Sequence, residues 1–117
     1  MTTLTVCTTC RTMAEREDRA LPPSGEAFLR SLQMAAEGVT VRGAACLMGC
    51  DHGCNLALSD HGKLTYVLGR FEASAADVVA VLDFAALFAT SETGQVPFRQ
   101  WPQGVKGHFI ARIPPLP

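Results

Sequence analysis

All five cysteines of this chain lie in two short segments. The first segment, "VCTTC", contains Cys7 and Cys10, and the second, "CLMGCDHGC", contains Cys46, Cys50 and Cys54. Each segment follows a short run of residues that favours a β-strand. If the two strands are parallel neighbours, both segments lie at one edge of the sheet, because the carboxyl ends of parallel strands meet there. The cysteines therefore constrain the fold as well as the chemistry.

The rest of the chain predicts the element order β-α-β-β-β-α. After the first strand, "LTVC", a helix is expected with Ser24 as its N-cap and an end near Glu37, followed by the strand "VTVRGAAC". The runs "NLALS" and "KLTYVLG", joined by the turn "DHGK", predict a hairpin, and a helix with one apolar face follows Ser74. A right-handed crossover makes the first two strands parallel. The expected fold class is α/β, a thioredoxin-like mixed four-stranded sheet.

The chain is expected to divide into a domain and a tail. Residues 1–91 contain all of these elements and both cysteine segments, so they form the thioredoxin-like domain. Residues 92–117 are rich in Pro and Gly, with aromatic residues between them. This composition predicts an extended C-terminal tail that packs on the domain or on a partner. The apolar tail also favours a homodimer, since a free tail exposes fewer aromatic side chains.

Composition excludes several classes of function. The 117 residues suffice for one domain with its own core. A net charge of −1, with both signs mixed along the chain, argues against a nucleic-acid partner. The N-terminus does not resemble a signal peptide, and the longest apolar stretch, Ala73 to Ala89, contains Asp77 and Asp83, which argues against a membrane span. A cytoplasmic location is therefore expected. In that reducing compartment, thiols act as ligands or redox groups more often than as a disulfide framework.

Several kinds of site remain open at this point. Thiolates from two loops bind either zinc or an iron–sulfur cluster, and spacing alone does not separate these. Structural zinc usually stabilises small domains that have no hydrophobic core, and this chain is expected to have one. The backbone amides of the glycines between the cysteines can donate hydrogen bonds to the sulfur atoms of a cluster. A third interpretation is a thiol–disulfide oxidoreductase that uses Cys7 and Cys10. The sequence contains no catalytic constellation, so an electron carrier is favoured over an enzyme.

The motifs resemble those of a known group of electron carriers. A strand ending in "VC", a helix, a second strand leading to "CLMGC", and then "DHGCNLALSDHGKLTYVLG" are similar to the thioredoxin-like [2Fe-2S] ferredoxins and the small cluster-bearing subunit of respiratory NADH dehydrogenases. The resemblance implies that Cys7, Cys10, Cys46 and Cys50 hold a [2Fe-2S] cluster. In this chain the first two cysteines are closer together than in that group, and Cys54 stands where the group commonly has proline. Cys54 is therefore an alternative ligand.

A second resemblance covers nearly the whole chain. The framework "VCTTCR", "CLMGCDHGCNLAL", "GKLTYVLGRF" and "FIARIPP" resembles DUF1636, a family of uncharacterised bacterial proteins described as metal-binding or ferredoxin-like. This resemblance implies a cysteine-bound metal centre. The sequence-based hypothesis is therefore a [2Fe-2S] ferredoxin-like protein that passes single electrons to an unidentified redox partner protein. The alternatives are a zinc- or cobalt-binding module and the dithiol oxidoreductase.

Overall fold

The computed structural model describes residues 1–18, 20–48 and 53–117. The elements along the chain are strand β1 (Thr3–Cys7), helices α1 (Met13–Glu17) and α2 (Gly25–Ala35), strands β2 (Thr40–Ala44), β3 (Cys54–Ser59) and β4 (Thr65–Phe71), helix α3 (Ala75–Thr90) and strand β5 (Phe109–Ile113). Within this part of the chain, no helix is both long and apolar enough to cross a membrane.

The five strands form one mixed sheet in the order β2-β1-β3-β4-β5. Strand β1 pairs in parallel with β2, and the remaining neighbours are antiparallel. The α/β class, the parallel first pair and the hairpin were all predicted from the sequence, and the structure confirms them. Helix α2 contacts β1, β2 and α3. The strand pair and its helix therefore form the expected crossover unit.

The sheet has five strands rather than the four that were predicted, because the tail contributes β5. The segment "FIARI" is short and lies between Gly107 and Pro114. Because glycine and proline are typical of loops, the sequence did not predict a strand there. Strand β5 pairs with β4, and Val96 and Val105 of the tail are buried in the core. The tail is thus part of the packed structure rather than only an extended segment.

The tail is fastened to the core around Tyr66. The Tyr66 ring makes edge-to-face contacts with the rings of Phe84, Trp101 and Phe109, with centroids 5.1 to 6.3 Å apart. Its hydroxyl oxygen accepts a hydrogen bond of 3.0 Å from the buried amide of Val96. Apolar packing and a satisfied buried polar group therefore hold the same segment in place.

Both predicted helix starts are found, although their caps differ. The Ser74 hydroxyl accepts a hydrogen bond of 3.1 Å from the Asp77 amide, as expected for an N-cap. Ser24 precedes α2, but its side chain makes no capping bond to that helix. Its amide and hydroxyl instead donate to the carboxylate of Glu15. The expectation that the Ser24 side chain caps α2 was wrong, because Glu15 competes for that hydroxyl.

Candidate functional site

The two cysteine segments begin at the same edge of the sheet. Cys7, the last residue of β1, lies opposite Ala44, the last residue of β2, in the parallel register. Beyond this pair, the Thr8 amide and hydroxyl both donate to the Ala44 carbonyl, at 2.8 and 3.0 Å. The Thr9 hydroxyl donates to the carbonyl of Ala45. The loop after β1 is therefore tied to the residues that lead to Cys46.

Strand β3 brings Cys54 to this edge as well. Because β3 runs antiparallel to β1, its first residue, Cys54, lies near the carboxyl end of β1. A Cβ atom on the preceding Gly53 would lie 3.6 Å from the Arg11 carbonyl oxygen. Residues 53 and 54 thus lie directly against the chain at Cys10.

Three buried thiols meet at this position. The exposed fractions of Cys7, Cys10 and Cys54 are 2, 3 and 0%, and all three belong to the hydrophobic core. The Cys10 side chain interacts with the side chains of both Cys54 and Cys7. We call these three residues the thiol cluster. It has the soft sulfur donors that iron–sulfur clusters, zinc and copper(I) prefer.

The two central thiols have opposite tendencies to ionise. A hydrogen bond from the Cys54 thiol lowers the pKa of Cys10; burial raises it, but the Asn55 amide and the Cys7 thiol add to the lowering. The pKa of Cys54 is raised by its interaction with Cys10 and by burial. Of the two, Cys10 is therefore the thiol that ionises more readily, with Cys54 as its hydrogen-bond donor.

Only one of the two remaining predicted ligands, Cys46, is among the described residues. Cys46 is exposed, and its sulfur accepts a hydrogen bond of 3.3 Å from the Met48 amide and lies 3.7 Å from the Met48 sulfur. Cys50, the fourth residue of the sequence-based set, lies outside the described residues. The structure therefore brings Cys7 and Cys10 together with Cys54, the predicted alternative, and places Cys46 at the surface.

Helix α2 packs tightly against the loop between Cys7 and Cys10. The Gly25 amide donates to the Cys10 carbonyl at 3.1 Å. A Cβ atom on Gly25 would lie only 2.4 Å from the Cys7 carbonyl oxygen and 2.8 Å from the Thr8 carbonyl. A glycine is needed for this approach. Its role was not predicted from the sequence, since a glycine after a serine gives no local sign of a close contact.

The loop after Cys10 is held by two side chains. Glu15 accepts the Thr12 amide at 2.9 Å and the Ser24 amide at 3.0 Å, which joins the start of α1 to the start of α2. The Arg11 guanidinium donates to the Leu21 carbonyl at 2.6 Å. Arg11 therefore braces the loop against residues that precede α2. These contacts keep Cys10 in a defined position next to Cys54.

No group of three or more His, Cys, Asp or Glu side chains is arranged to hold a metal ion, as far as residues 1–18, 20–48 and 53–117 are concerned. Within the thiol cluster, Cys10 interacts with Cys54 and with Cys7. Cys54, the first residue of β3, forms one side of the thiol cluster, and the loop that leads to Cys46 starts beside the loop of Cys7 and Cys10.

The fold and the site define a small α/β protein with a thiol cluster at one edge of a five-stranded mixed sheet. The chain belongs to the family described as "Protein of unknown function (DUF1636)", whose model matches residues 4–115. The match includes the thiol cluster and the whole of β5. No curated protein and no solved structure matches the chain.

Proposed function

We propose that this protein binds a [2Fe-2S] cluster through cysteine thiolates and carries single electrons. The observation that carries the proposal is the position of Cys10, whose buried thiol has two further buried thiols, Cys7 and Cys54, as neighbours. They lie where the loop bearing Cys46 also begins. Three thiols in contact at one sheet edge are more than packing requires, because a buried cysteine otherwise serves only as a small apolar side chain.

The chemistry of these donors fits an iron–sulfur cluster. Thiolates are its usual protein ligands, and they bind in the deprotonated form. Cys10 has a lowered pKa, so its thiolate is available at a smaller cost than that of an ordinary buried thiol. Burial of the three side chains limits access of water, one of the factors that set the reduction potential of such a centre.

The proposed ligand set differs from the sequence-based set at one position. Cys7, Cys10 and Cys54 supply three thiolates from the thiol cluster. The fourth comes from the segment before Cys54, where Cys46 and Cys50 are the two candidates. Of these, Cys46 is exposed beside the loop of Cys7 and Cys10. In the set expected from the resemblance, both Cys46 and Cys50 were ligands and Cys54 was the alternative.

The surface around the site suits contact with a redox partner protein. Met48, next to Cys46, is 85% exposed, and Met13, whose sulfur lies 3.7 Å from the Cβ position of Gly53, is also exposed. Methionine side chains adapt their shape to a partner surface. When bound, the cluster supplies a one-electron change with little rearrangement, and the protein's own residues hold it close to this surface.

The test begins with protein purified without oxygen. We expect broad absorption between about 300 and 600 nm that bleaches with dithionite, and equal amounts of iron and acid-labile sulfide. Serine is then placed at each cysteine in turn. We expect the absorption to be lost in Cys7→Ser, Cys10→Ser and Cys54→Ser. Of the two variants Cys46→Ser and Cys50→Ser, we expect one to lose the absorption and the other to keep it. The variant that keeps the absorption is the matched control, because it carries the same substitution in the same segment.

Two results would contradict the proposal. Stoichiometric zinc without sulfide would favour the metal-binding module instead. Protein that contains no metal would favour the thiol–disulfide oxidoreductase. If Cys54→Ser retains full iron and sulfide, the ligand set is the one implied by the resemblance. Circular dichroism of each variant, with Cys54→Ala as a second buried substitution, separates loss of the cluster from loss of the fold.

A further inference from the structure

Cys10 and Cys54 are buried neighbours where the loop after β1 meets the start of β3. The hydrogen bond from Cys54 is the largest cause of the lowered pKa of Cys10, ahead of the one from Cys7. The backbone supports this pairing, because the Cβ position of Gly53 lies 3.6 Å from the Arg11 carbonyl oxygen. Both thiols are almost completely buried. Because the two side chains already interact in the core, they are the pair of this cluster that we expect to form a disulfide.

The neighbouring pair, Cys7 and Cys10, is arranged less favourably. The Cys7 sulfur has the Thr9 hydroxyl as a neighbour at 3.7 Å, within its own loop. The motif "CTTC" also does not run directly into a helix, since α1 begins only at Met13 and has five residues. The pair in the alternative interpretation of the sequence, Cys7 with Cys10, therefore differs from the pair that we expect to react.

We propose that Cys10 and Cys54 form a disulfide in the metal-free protein and that this bond blocks loading of the cluster. The proposal rests on the proposed function, because it concerns the same ligands. The oxidant is a low-molecular-weight disulfide such as oxidised glutathione. The two thiols together lose two electrons and two protons and form one S–S bond, while the oxidant's S–S bond breaks and gives two free thiols. Neither sulfur of the new bond is then a thiolate that can bind iron.

The burial of Cys10 and Cys54 determines the order in which the cysteines react with the oxidant. Among the four cysteines of the described residues only Cys46 is exposed, so it reacts with the oxidant before Cys10 and Cys54 and forms a mixed disulfide. Cys10 and Cys54 react only when the loop that Arg11 and Glu15 hold opens locally. The disulfide then joins segments that are far apart in the sequence, and such a crosslink is expected to raise the thermal midpoint of the metal-free protein.

The experiment maps the disulfides of the full-length, metal-free chain after incubation with oxidised glutathione. Free thiols are blocked with N-ethylmaleimide and the protein is digested. Cleavage after Arg11 releases Cys7 and Cys10 on one peptide, and cleavage before Asp51 separates Cys54 from Cys46 and Cys50. Fragment spectra then assign Cys7 or Cys10 as the crosslinked residue. We expect a dominant Cys10–Cys54 crosslink, which disappears on incubation with dithiothreitol.

Reconstitution separates this inference from the proposed function. Oxidised protein is expected to take up less than a tenth of the iron and sulfide of reduced protein, and dithiothreitol is expected to restore uptake. A dominant Cys7–Cys10 crosslink, a crosslink to Cys46, or free Cys10 and Cys54 would overturn the inference while reduced protein could still load its cluster. Absence of iron from reduced protein would instead overturn the proposed function, and the crosslink map would still decide the pairing.

Discussion

Replacing Gly25 with alanine is expected to destabilise the protein and to expose the thiol cluster. A Cβ atom at this position would lie 2.4 Å from the Cys7 carbonyl oxygen and 2.8 Å from the Thr8 carbonyl carbon and oxygen. These are backbone atoms, so no flexible side chain can move aside. Helix α2 and the loop from Cys7 to Cys10 must separate, which also strains the hydrogen bond from the Gly25 amide to the Cys10 carbonyl.

Two effects of opposite sign determine the magnitude. Alanine in place of glycine in a helix ordinarily stabilises by up to about 1 kcal/mol, through backbone entropy and helix propensity. Forcing an extra carbon into a packed position ordinarily costs about 1 to 3 kcal/mol. A contact of 2.4 Å with a backbone oxygen belongs at the upper end of that range. We therefore expect a net loss of about 2 kcal/mol in the free energy of unfolding.

The assay combines urea unfolding with the kinetics of thiol labelling on metal-free, reduced protein. For an m-value of about 1.5 kcal/mol/M, a loss of about 2 kcal/mol lowers the urea midpoint by somewhat more than 1 M. In the wild type, Cys46 is expected to react quickly and the buried Cys7, Cys10 and Cys54 slowly. In Gly25→Ala, labelling of Cys7 and Cys10 is expected to become at least tenfold faster.

Gly38→Ala is the matched control. Gly38 has a φ of +72°, and nothing lies within 4 Å of its Cβ position. Alanine there costs about 1 to 2 kcal/mol through the left-handed backbone alone, with no contact to the thiol cluster. We expect lower stability but unchanged relative rates of cysteine labelling. A Gly25→Ala variant as stable as the wild type, with its buried thiols still slow to label, would refute the argument from packing.

Two further predictions concern the tail and the loop of Cys10. Tyr66→Phe leaves the buried Val96 amide without its acceptor, so we expect a loss of about 1 to 3 kcal/mol in thermal or urea unfolding, and an unchanged stability would contradict the role of this bond. Burial opposes ionisation of Glu15, but hydrogen bonds from the Ser24 hydroxyl and from the Thr12 and Ser24 amides outweigh it and lower its pKa. Its stabilising contribution is therefore complete above the unfolded pKa of about 4.3 and is lost as the pH falls through the folded pKa. The stability difference between the wild type and Glu15→Gln should shrink from about pH 5 downward, and a difference that grows on acidification would have the wrong sign.

The sequence predicted the elements whose signals are local. Alternating or continuous apolar runs identified β1, β3 and β4, and the apolar face after Ser74 identified α3. The parallel pairing of β1 with β2 followed from the helix between them, since such crossovers have one preferred hand. The placement of Cys7 at the same edge as the residues before Cys46 therefore follows from the order of the elements along the chain.

Other features depended on contacts between distant segments. Strand β5 carries a weak signal of its own and is a strand because the edge of β4 offers it hydrogen-bonding partners. The close contact of Gly25 depends on how α2 sits on the sheet. The meeting of Cys10 with Cys54 depends on the antiparallel direction of β3 and on the bend of the chain at Gly53.

The sequence by itself thus determined the class of the fold and the type of chemical group at its edge. Side-chain spacing records which face of an element is buried, and the residue types record which atoms can act as ligands. Only the tertiary structure decided which cysteines lie together, because their distances depend on the direction of strand pairing and on the packing of α2, which no local pattern encodes. For this reason Cys54, an alternative ligand in the sequence, lies beside Cys10 in the fold.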